Sequence, residues 1–262
     1  MNSMTLIEIT NLDIPSLQIY RQLRDNAVTK ENSFIADSPK VVSMLLKTDI
    51  EVRSILATQK FYSEHKTLIE SKNIPLLYVA DKTIMKEIVG HNIHHGVMMH
   101  GIRPKQTPIE EMGDHIIMLE NITKNENVGA IARSAAALEV DSLITSEKSP
   151  HPFGRKALRV SMGYVSQLKI ETYQDIHSTL ETLKSLGYKI FAAEVTKDAT
   201  PLQEVNIPKK WVLLMGDEHA GISQEILEVC DETVMIEISP MVKSFDVAVA
   251  SSLMMYHFKN SA

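Results

Sequence analysis

The sequence predicts an α/β protein of two domains, the second built on a mostly parallel sheet. Three observations predict it. The chain has 262 residues, which suits two domains of roughly 100–150 residues each. The segment GIRPKQTPIEEMGD, residues 101–114, gathers two prolines, two glycines and several charges between apolar strands, and so reads as a linker. On both sides of it, segments of strand and helix character alternate, which argues for parallel strands covered by helices. The expected division is a small α/β domain over 1–103, a linker over 104–113 and a second domain over 114–262.

Each element follows from local pattern. In SLQIYRQLRDNAV (16–28) apolar residues at 17, 20, 23 and 27 have the helix period. Strands are expected at 32–37, 52–58, 75–80 and 96–102, and helices at 39–48, 60–70 and 82–90, the first opening on Pro39. Beyond the linker, HIIMLENI (115–122) is a buried strand and the alanine-rich NVGAIARSAAALEV (127–140) a helix. Strands at 142–147, 188–195, 211–216 and 233–238 alternate with helices at 174–187, 223–230 and 244–258. Ligands of such sheets bind at the carboxyl ends of the strands.

Composition narrows the function. Apolar residues are 44% and charged residues 23%, ordinary values for a globular protein. No run approaches the roughly 20 apolar residues of a membrane span, and MNSMTLIEIT has no signal-peptide character, so a cytoplasmic protein is expected. The single cysteine, Cys230, excludes an internal disulfide and a multi-cysteine zinc site. The net charge is −6, and the excess acid all lies after residue 112. A polyanion must therefore meet a local basic patch. Arg155, Lys156 and Arg159 form one, readable either as a solvated helix face or as a contact for RNA phosphates; Arg21, Arg24, Lys40, Lys47 and Arg53 are weaker candidates. His91, His94, His95 and His100 cluster without interleaved acids, which favours a partly exposed loop over a metal site.

Three loops stand where chemistry is expected. In ENITKNENVGAIARSA (120–135), Asn127 is positioned to cap the next helix, Gly129 permits close backbone approach, and Arg133 is a lone cation among alanines. In LLMGDEHAGIS (213–223) a buried strand runs into Gly216, Asp217, Glu218 and Gly221, without dinucleotide or P-loop spacing. In IEISPMVKSFDVAVASSL (236–253), Ser244 is the expected N-cap, with Asp246 in the first turn. Taken singly, each loop is equally a capped helix or a tight turn.

Taken together, their order and spacing resemble the SpoU family of RNA ribose methyltransferases, within the SPOUT superfamily of knotted methyltransferases. Asn127, Gly129 and Arg133 match a motif of the form N-x-G-x-x-x-R. Gly216, Glu218, Gly221 and Ile222 match G-[NS]-E-x-x-G-[IL], with Asp217 between. Ile236, Val242, Ser244, Val247, Val249 and Ala250 match the third motif, and PFGRKALRVSMGYV (152–165) is similar to the family's intervening segment. The first half is similar in character to an L30e-like RNA-binding domain. The resemblance implies a trefoil-knotted C-terminal domain, a homodimer packed through it, and S-adenosylmethionine held largely by backbone groups at Gly216, Ile236 and Phe245.

The implied chemistry is methylation of a ribose 2′-hydroxyl in rRNA or tRNA. Arg133 would stabilise the developing alkoxide, since a guanidinium is almost never deprotonated. Glu218, Ser244 and Asp246 would orient ribose and cofactor, Asn127 would support the first loop, and Arg155, Lys156 and Arg159 would meet RNA; no metal is implied. The chain departs from the family's pattern at Asp246, Phe245, Glu237 and Pro240. A carboxylate at 246 is expected either to favour a cationic sulfonium nearby or to pair with Arg133 and quench it. That leaves open an RNA- or cofactor-binding protein of the same fold with lost or altered catalysis.

Overall fold

The computed structural model describes residues 5–9, 12, 14–21, 32–90, 96–217 and 220–261. They form two compact units: Met1–Lys105 with Phe153–Ser166, and Gln106–Pro152 with Gln167–Ala262.

The first unit carries a five-stranded sheet. Its strands are β1 (Thr5–Glu8), β2 (Ser33–Ala36), β3 (Val52–Ala57), β4 (Leu76–Val79) and β5 (Val97–Ile102), in the order β1-β4-β3-β5-β2. β1, β4 and β3 run parallel, while β5 is antiparallel to β3 and β2. The helices are α1 (Gln18–Arg21), α2 (Pro39–Leu45), α3 (Gln59–Glu70) and α4 (Lys82–Val89), and a fifth, α5 (Arg155–Val160), comes from further along the chain. Their ends are written locally. Pro39 opens α2, the Asp81 carboxylate accepts the Ile84 amide at 2.9 Å to cap α4, and Gly90 closes it at φ 80°. The helix expected over 16–28 is present as Pro15–Leu17 and α1; its remainder lies outside the described residues. β1 carried no sequence signal, because an edge strand with mostly exposed side chains has no alternating apolar face.

The division between units differs from the one expected. Phe153–Ser166, assigned to the second domain by its place in the chain, belongs to the first unit. Three contacts hold it there. Phe153 packs on Phe34 with ring centroids 5.2 Å apart, and Phe34 in turn lies over Gly101, where a Cβ would collide with the ring. Arg155 and Arg159, both on α5, bind the buried carboxylate of Asp37. Gly163, at φ 83°, closes the segment against Met44 and the Val41 carbonyl. The expected linker is also not free. Residues 106–113 are part of the second unit: the Thr107 amide donates to the Ile170 carbonyl at 2.8 Å, and Met112 enters the core.

The second unit is an all-parallel seven-stranded sheet. It consists of β6 (His115–Leu119), β7 (Ser142–Ser146), β8 (Lys169–Tyr173), β9 (Lys189–Ala193), β10 (Thr200–Pro201), β11 (Trp211–Met215) and β12 (Glu232–Met235). The order is β10-β12-β9-β11-β6-β7-β8. The late strands are therefore inserted between earlier ones: β11 between β9 and β6, and β12 between β10 and β9. The helices are α6 (Asn125–Ala137), α7 (Ile176–Ser185), α8 (Gln224–Val229) and α9 (Val247–Ser261). A core of fully buried aliphatic residues, among them Ile116, Met118, Ile144, Ile190, Val212 and Leu214, lies on one face of the sheet. On Trp211, the rings of His115 and Phe258 stack and abut edge-on, at 4.9 Å and 5.2 Å.

Candidate active site

The carboxyl ends of β9, β11 and β12 open into a single cleft. Ala193 ends β9, with Glu194 and Val195 after it; Met215 ends β11, with Gly216 and Asp217 after it; Val234 and Met235 end β12, with Ile236 and Ile238 beyond. Ser244, Phe245, Val247, Ala250 and Met254, from the start of α9 and the loop before it, complete the wall. The three residues expected to hold a cofactor, Gly216, Ile236 and Phe245, thus share one cavity, together with Ser244. The position is the one a parallel sheet provides: strand ends where the order of the strands reverses.

The second loop is built around close backbone contact. A Cβ on Gly216 would stand 2.5 Å from the Gly221 carbonyl carbon, so position 216 must be glycine for the loop to close on itself. The space a side chain at 216 would need is therefore taken by the loop's own backbone, while Gly216 itself still lines the cleft. Gly221 adopts φ 65°, and its amide donates to the Asp217 carbonyl at 2.9 Å. The Asp217 side chain accepts from the Ala220 amide through Oδ1 at 3.4 Å and from the Thr123 hydroxyl through Oδ2 at 3.0 Å, which ties the second loop to the first. Glu218 lies outside the described residues.

Glu194 was not anticipated. Its Oε2 accepts the Ile222 amide at 2.9 Å and its Oε1 the Val195 amide at 3.0 Å, so the carboxylate joins the end of β9 to the second loop. A Cβ on Gly221 would displace it. The only signal in the sequence was an acid directly after a buried strand. Glu120 likewise has no distinguishing signal in the sequence. It lies buried after β6, where it accepts from the Tyr173 hydroxyl, while the Ser146 hydroxyl donates to Asn121 Oδ1 at 3.0 Å. Burial, with the Glu120 carboxylate beside it, raises the Tyr173 phenol far above its ordinary range and keeps it a donor. This network fixes the left-handed turn at Asn121, whose φ is 51°.

Two capping expectations are corrected. α6 begins at Asn125 with Lys124 before it, so Asn127 is not the cap; it is buried in the first turn. α9 begins at Val247, and the residue ahead of it is Asp246 rather than Ser244. Asp246 Oδ1 accepts the Ala248 amide at 2.9 Å and the Val249 amide at 3.4 Å. The expected ion pair between Asp246 and Arg133 is not formed. The carboxylate is engaged by the free amides of its own helix, and Arg133 stands exposed on α6 with no ion pair among the described residues. α6 and α9 pack on each other, and the Ser252 hydroxyl donates to Ser134 Oγ at 2.8 Å.

Arg155, Lys156 and Arg159 sit in the first unit, and two of the three serve its fold. Arg155 Nε donates to Asp37 Oδ2 at 2.6 Å and Arg159 Nε to Oδ1 at 3.3 Å. Asp37 is 7% exposed, whereas the Arg159 side chain is 49% exposed. Lys156 is exposed. His91, His94 and His95 lie outside the described residues, and His100 is in β5.

Residues 114–256 match the model of the SpoU rRNA Methylase family, more than half of the chain and all three loops. The chain belongs to that family. It is 26% identical over 260 residues to an uncharacterized tRNA/rRNA methyltransferase of Mycobacterium tuberculosis (strain ATCC 25618 / H37Rv), covering 95% of this chain and 90% of the relative. It is 31% identical over 143 residues to the tRNA (guanosine(18)-2′-O)-methyltransferase of Escherichia coli (strain K12), covering 55% of this chain and 62% of that protein. In fold it is similar to the AdoMet-bound rRNA methyltransferase of Sinorhizobium meliloti, with TM-score 0.84, 19% identity, and 97% and 98% of the two chains covered. A SpoU methyltransferase of Streptomyces viridochromogenes in complex with AdoMet gives TM-score 0.81 at 19% identity, with 94% and 98% covered. The mixed α/β architecture with mostly parallel strands is therefore that of the family.

Proposed function

We propose that this chain transfers a methyl group from S-adenosylmethionine to a ribose 2′-hydroxyl of ribosomal or transfer RNA. The observation that carries the reading is the cleft. It has apolar walls at Val195, Ile236, Ile238, Phe245 and Met254, carboxylates at Glu194 and Asp217, and no Lys, Arg or His among its described lining residues. Such a site suits a neutral purine joined to a cation and disfavours a phosphorylated nucleotide. When bound, S-adenosylmethionine supplies an electrophilic methyl on a sulfonium sulfur.

The chain's own residues then have defined work. Gly216, Ile236 and Phe245 hold the adenosyl group. Arg133 presents a fixed positive charge to the alkoxide that develops as the hydroxyl loses its proton to solvent. Ser244 and Glu218 orient the ribose. Asn127 holds the start of α6, and Asp246 fixes the start of α9 beside Ser244 and Phe245. The alternative, a binding protein with catalysis lost through the departures at Glu237, Pro240, Phe245 and Asp246, loses one support, because Asp246 is bound to the amides of α9 and not to Arg133.

Four further elements complete the proposal. The small first unit, taken as the L30e-like domain, recognises RNA, with Lys156 and the exposed part of Arg159 as contacts and Arg155 as their anchor through Asp37. The late insertion of β11 and β12 supports a knotted path for the chain, against the general absence of knots. Val249, Leu253 and Tyr256 form an exposed apolar stripe on α9, with Tyr256 62% exposed, and this is the surface through which two copies pair. No described helix is long and apolar enough to cross a membrane, and the proposed compartment is the cytoplasm. Calorimetry of the full chain with S-adenosylmethionine tests the reading. Saturable one-to-one binding supports it, and absence of binding overturns it.

A further inference from the structure

We propose that Glu194 and Asp217 make the cleft selective for charge, so that it holds the cationic methyl donor more tightly than the neutral thioether left after transfer. The inference rests on the methyltransferase reading above. In the reaction, a bond forms between the ribose oxygen and the methyl carbon. The carbon–sulfur bond breaks, and its electron pair returns to sulfur. The sulfonium loses its charge, and the hydroxyl proton leaves to solvent. The ligand's charge therefore falls by one while its shape barely changes. A site that distinguishes the two forms must sense charge.

The cleft is arranged to do so. Glu194 and Asp217 are its two described carboxylates, and no described cation lines it; Lys243, adjacent to Ser244, is not among the lining residues. Both carboxylates are held by backbone amides. Glu194 accepts from Val195 and Ile222, and Asp217 from Ala220. A charge fixed in advance needs no reorganisation when its counterpart arrives or disappears. Asp217 thus adds a second negative charge to the one that Glu194 brings to the cleft. The consequence is lower affinity for the product, which leaves the site more readily after each transfer.

Asp217→Asn is the direct test, because it removes charge while keeping the contacts to Ala220 and Thr123. In that variant the side-chain carbonyl oxygen still accepts from Ala220, and the side-chain NH₂ group donates to Thr123, whose hydroxyl turns to accept. Affinities of the full chain for S-adenosylmethionine and S-adenosylhomocysteine are measured by calorimetry. The wild type is expected to prefer the first. Asp217→Asn is expected to shrink that preference roughly three- to tenfold through weaker binding of the sulfonium form alone. Glu194→Gln is expected to shift the preference the same way and also to lower Tm, because an amide accepts through one oxygen where the carboxylate uses two. Equal weakening of both ligands in both variants, an unchanged preference, or a wild type with no preference overturns the proposal. A wild type that binds neither ligand overturns the methyltransferase reading instead.

Discussion

The chain contains two arginine settings that the fold treats in opposite ways. In the first unit, Arg155 and Arg159 converge on the buried carboxylate of Asp37, and their charge is used to hold Phe153–Ser166 in place. In the second unit, Arg133 stands exposed at the first-motif position, without an ion pair among the described residues, while the acid expected to pair with it, Asp246, is occupied by the amides of α9. The lesson is that basic residues in one sequence are not equivalent evidence of a substrate. A cation neutralised by a buried acid is structural, whereas the role proposed for Arg133 needs a cation kept apart from acids.

That contrast is broken or sharpened by exchanging each group. The largest effect is expected at Arg133. Arg133→Lys keeps the charge but loses the planar guanidinium, so the methylation rate should fall about a hundredfold or more, with Tm and cofactor affinity unchanged. Single-turnover kinetics and a melting curve measure both, and a near wild-type rate would remove Arg133 from the machinery. Asp37→Asn should show the opposite pattern. It leaves two guanidiniums facing an uncharged group, one of them half in solvent, and should cost about 1–3 kcal/mol in urea unfolding with little change in the donor affinity of the folded chain.

Smaller effects follow from single groups. Asp246→Asn keeps an oxygen for the Ala248 amide but loses the charge at the helix start, so it should lower stability by only a few tenths of a kcal/mol. Because no Arg133–Asp246 pair exists to be released, the rate should change less than about threefold, where release of a quenching pair would have raised it. The smallest effect is on pH dependence. Burial, assisted by Lys259, lowers the His115 pKa below its ordinary value of 6.5. The folded state then binds fewer protons than the unfolded state, so this group's contribution is complete above pH 6.5 and is lost as pH falls through the folded value. His115→Phe, which retains an aromatic ring on Trp211, should flatten the decline of Tm below that pH relative to wild type.

What the sequence disclosed follows the range of the forces involved. Helix periods and openings such as Pro39 are local, and those elements lie where the pattern placed them. That Gly216, Ile236 and Phe245, the residues expected to hold a cofactor, share a cleft with Ser244 was legible because loops at the ends of parallel strands converge. Long-range pairing was not legible. Asp37 and Arg155 are far apart in the chain, and nothing local to either shows that they meet or that residues 153–166 leave the second unit. Glu194 was hidden for the same reason: its partner amide at Ile222 belongs to a different loop. Edge strands such as β1, and β8 with residues 106–107 along it, lack the buried alternating face that reveals a strand.

The central claim is that the cleft and Arg133 together methylate ribose, and transfer of labelled methyl tests it most directly. The full chain is incubated with methyl-labelled S-adenosylmethionine and total cellular RNA, and the product is hydrolysed in alkali. Methylation of the 2′-oxygen removes the hydroxyl that alkali needs to cleave the adjoining phosphodiester. The account predicts label in alkali-resistant dinucleotides from rRNA or tRNA, absent with Arg133→Lys at matched times. Label confined to mononucleotides carrying a methylated base, or no incorporation by a chain that binds the donor, would contradict it.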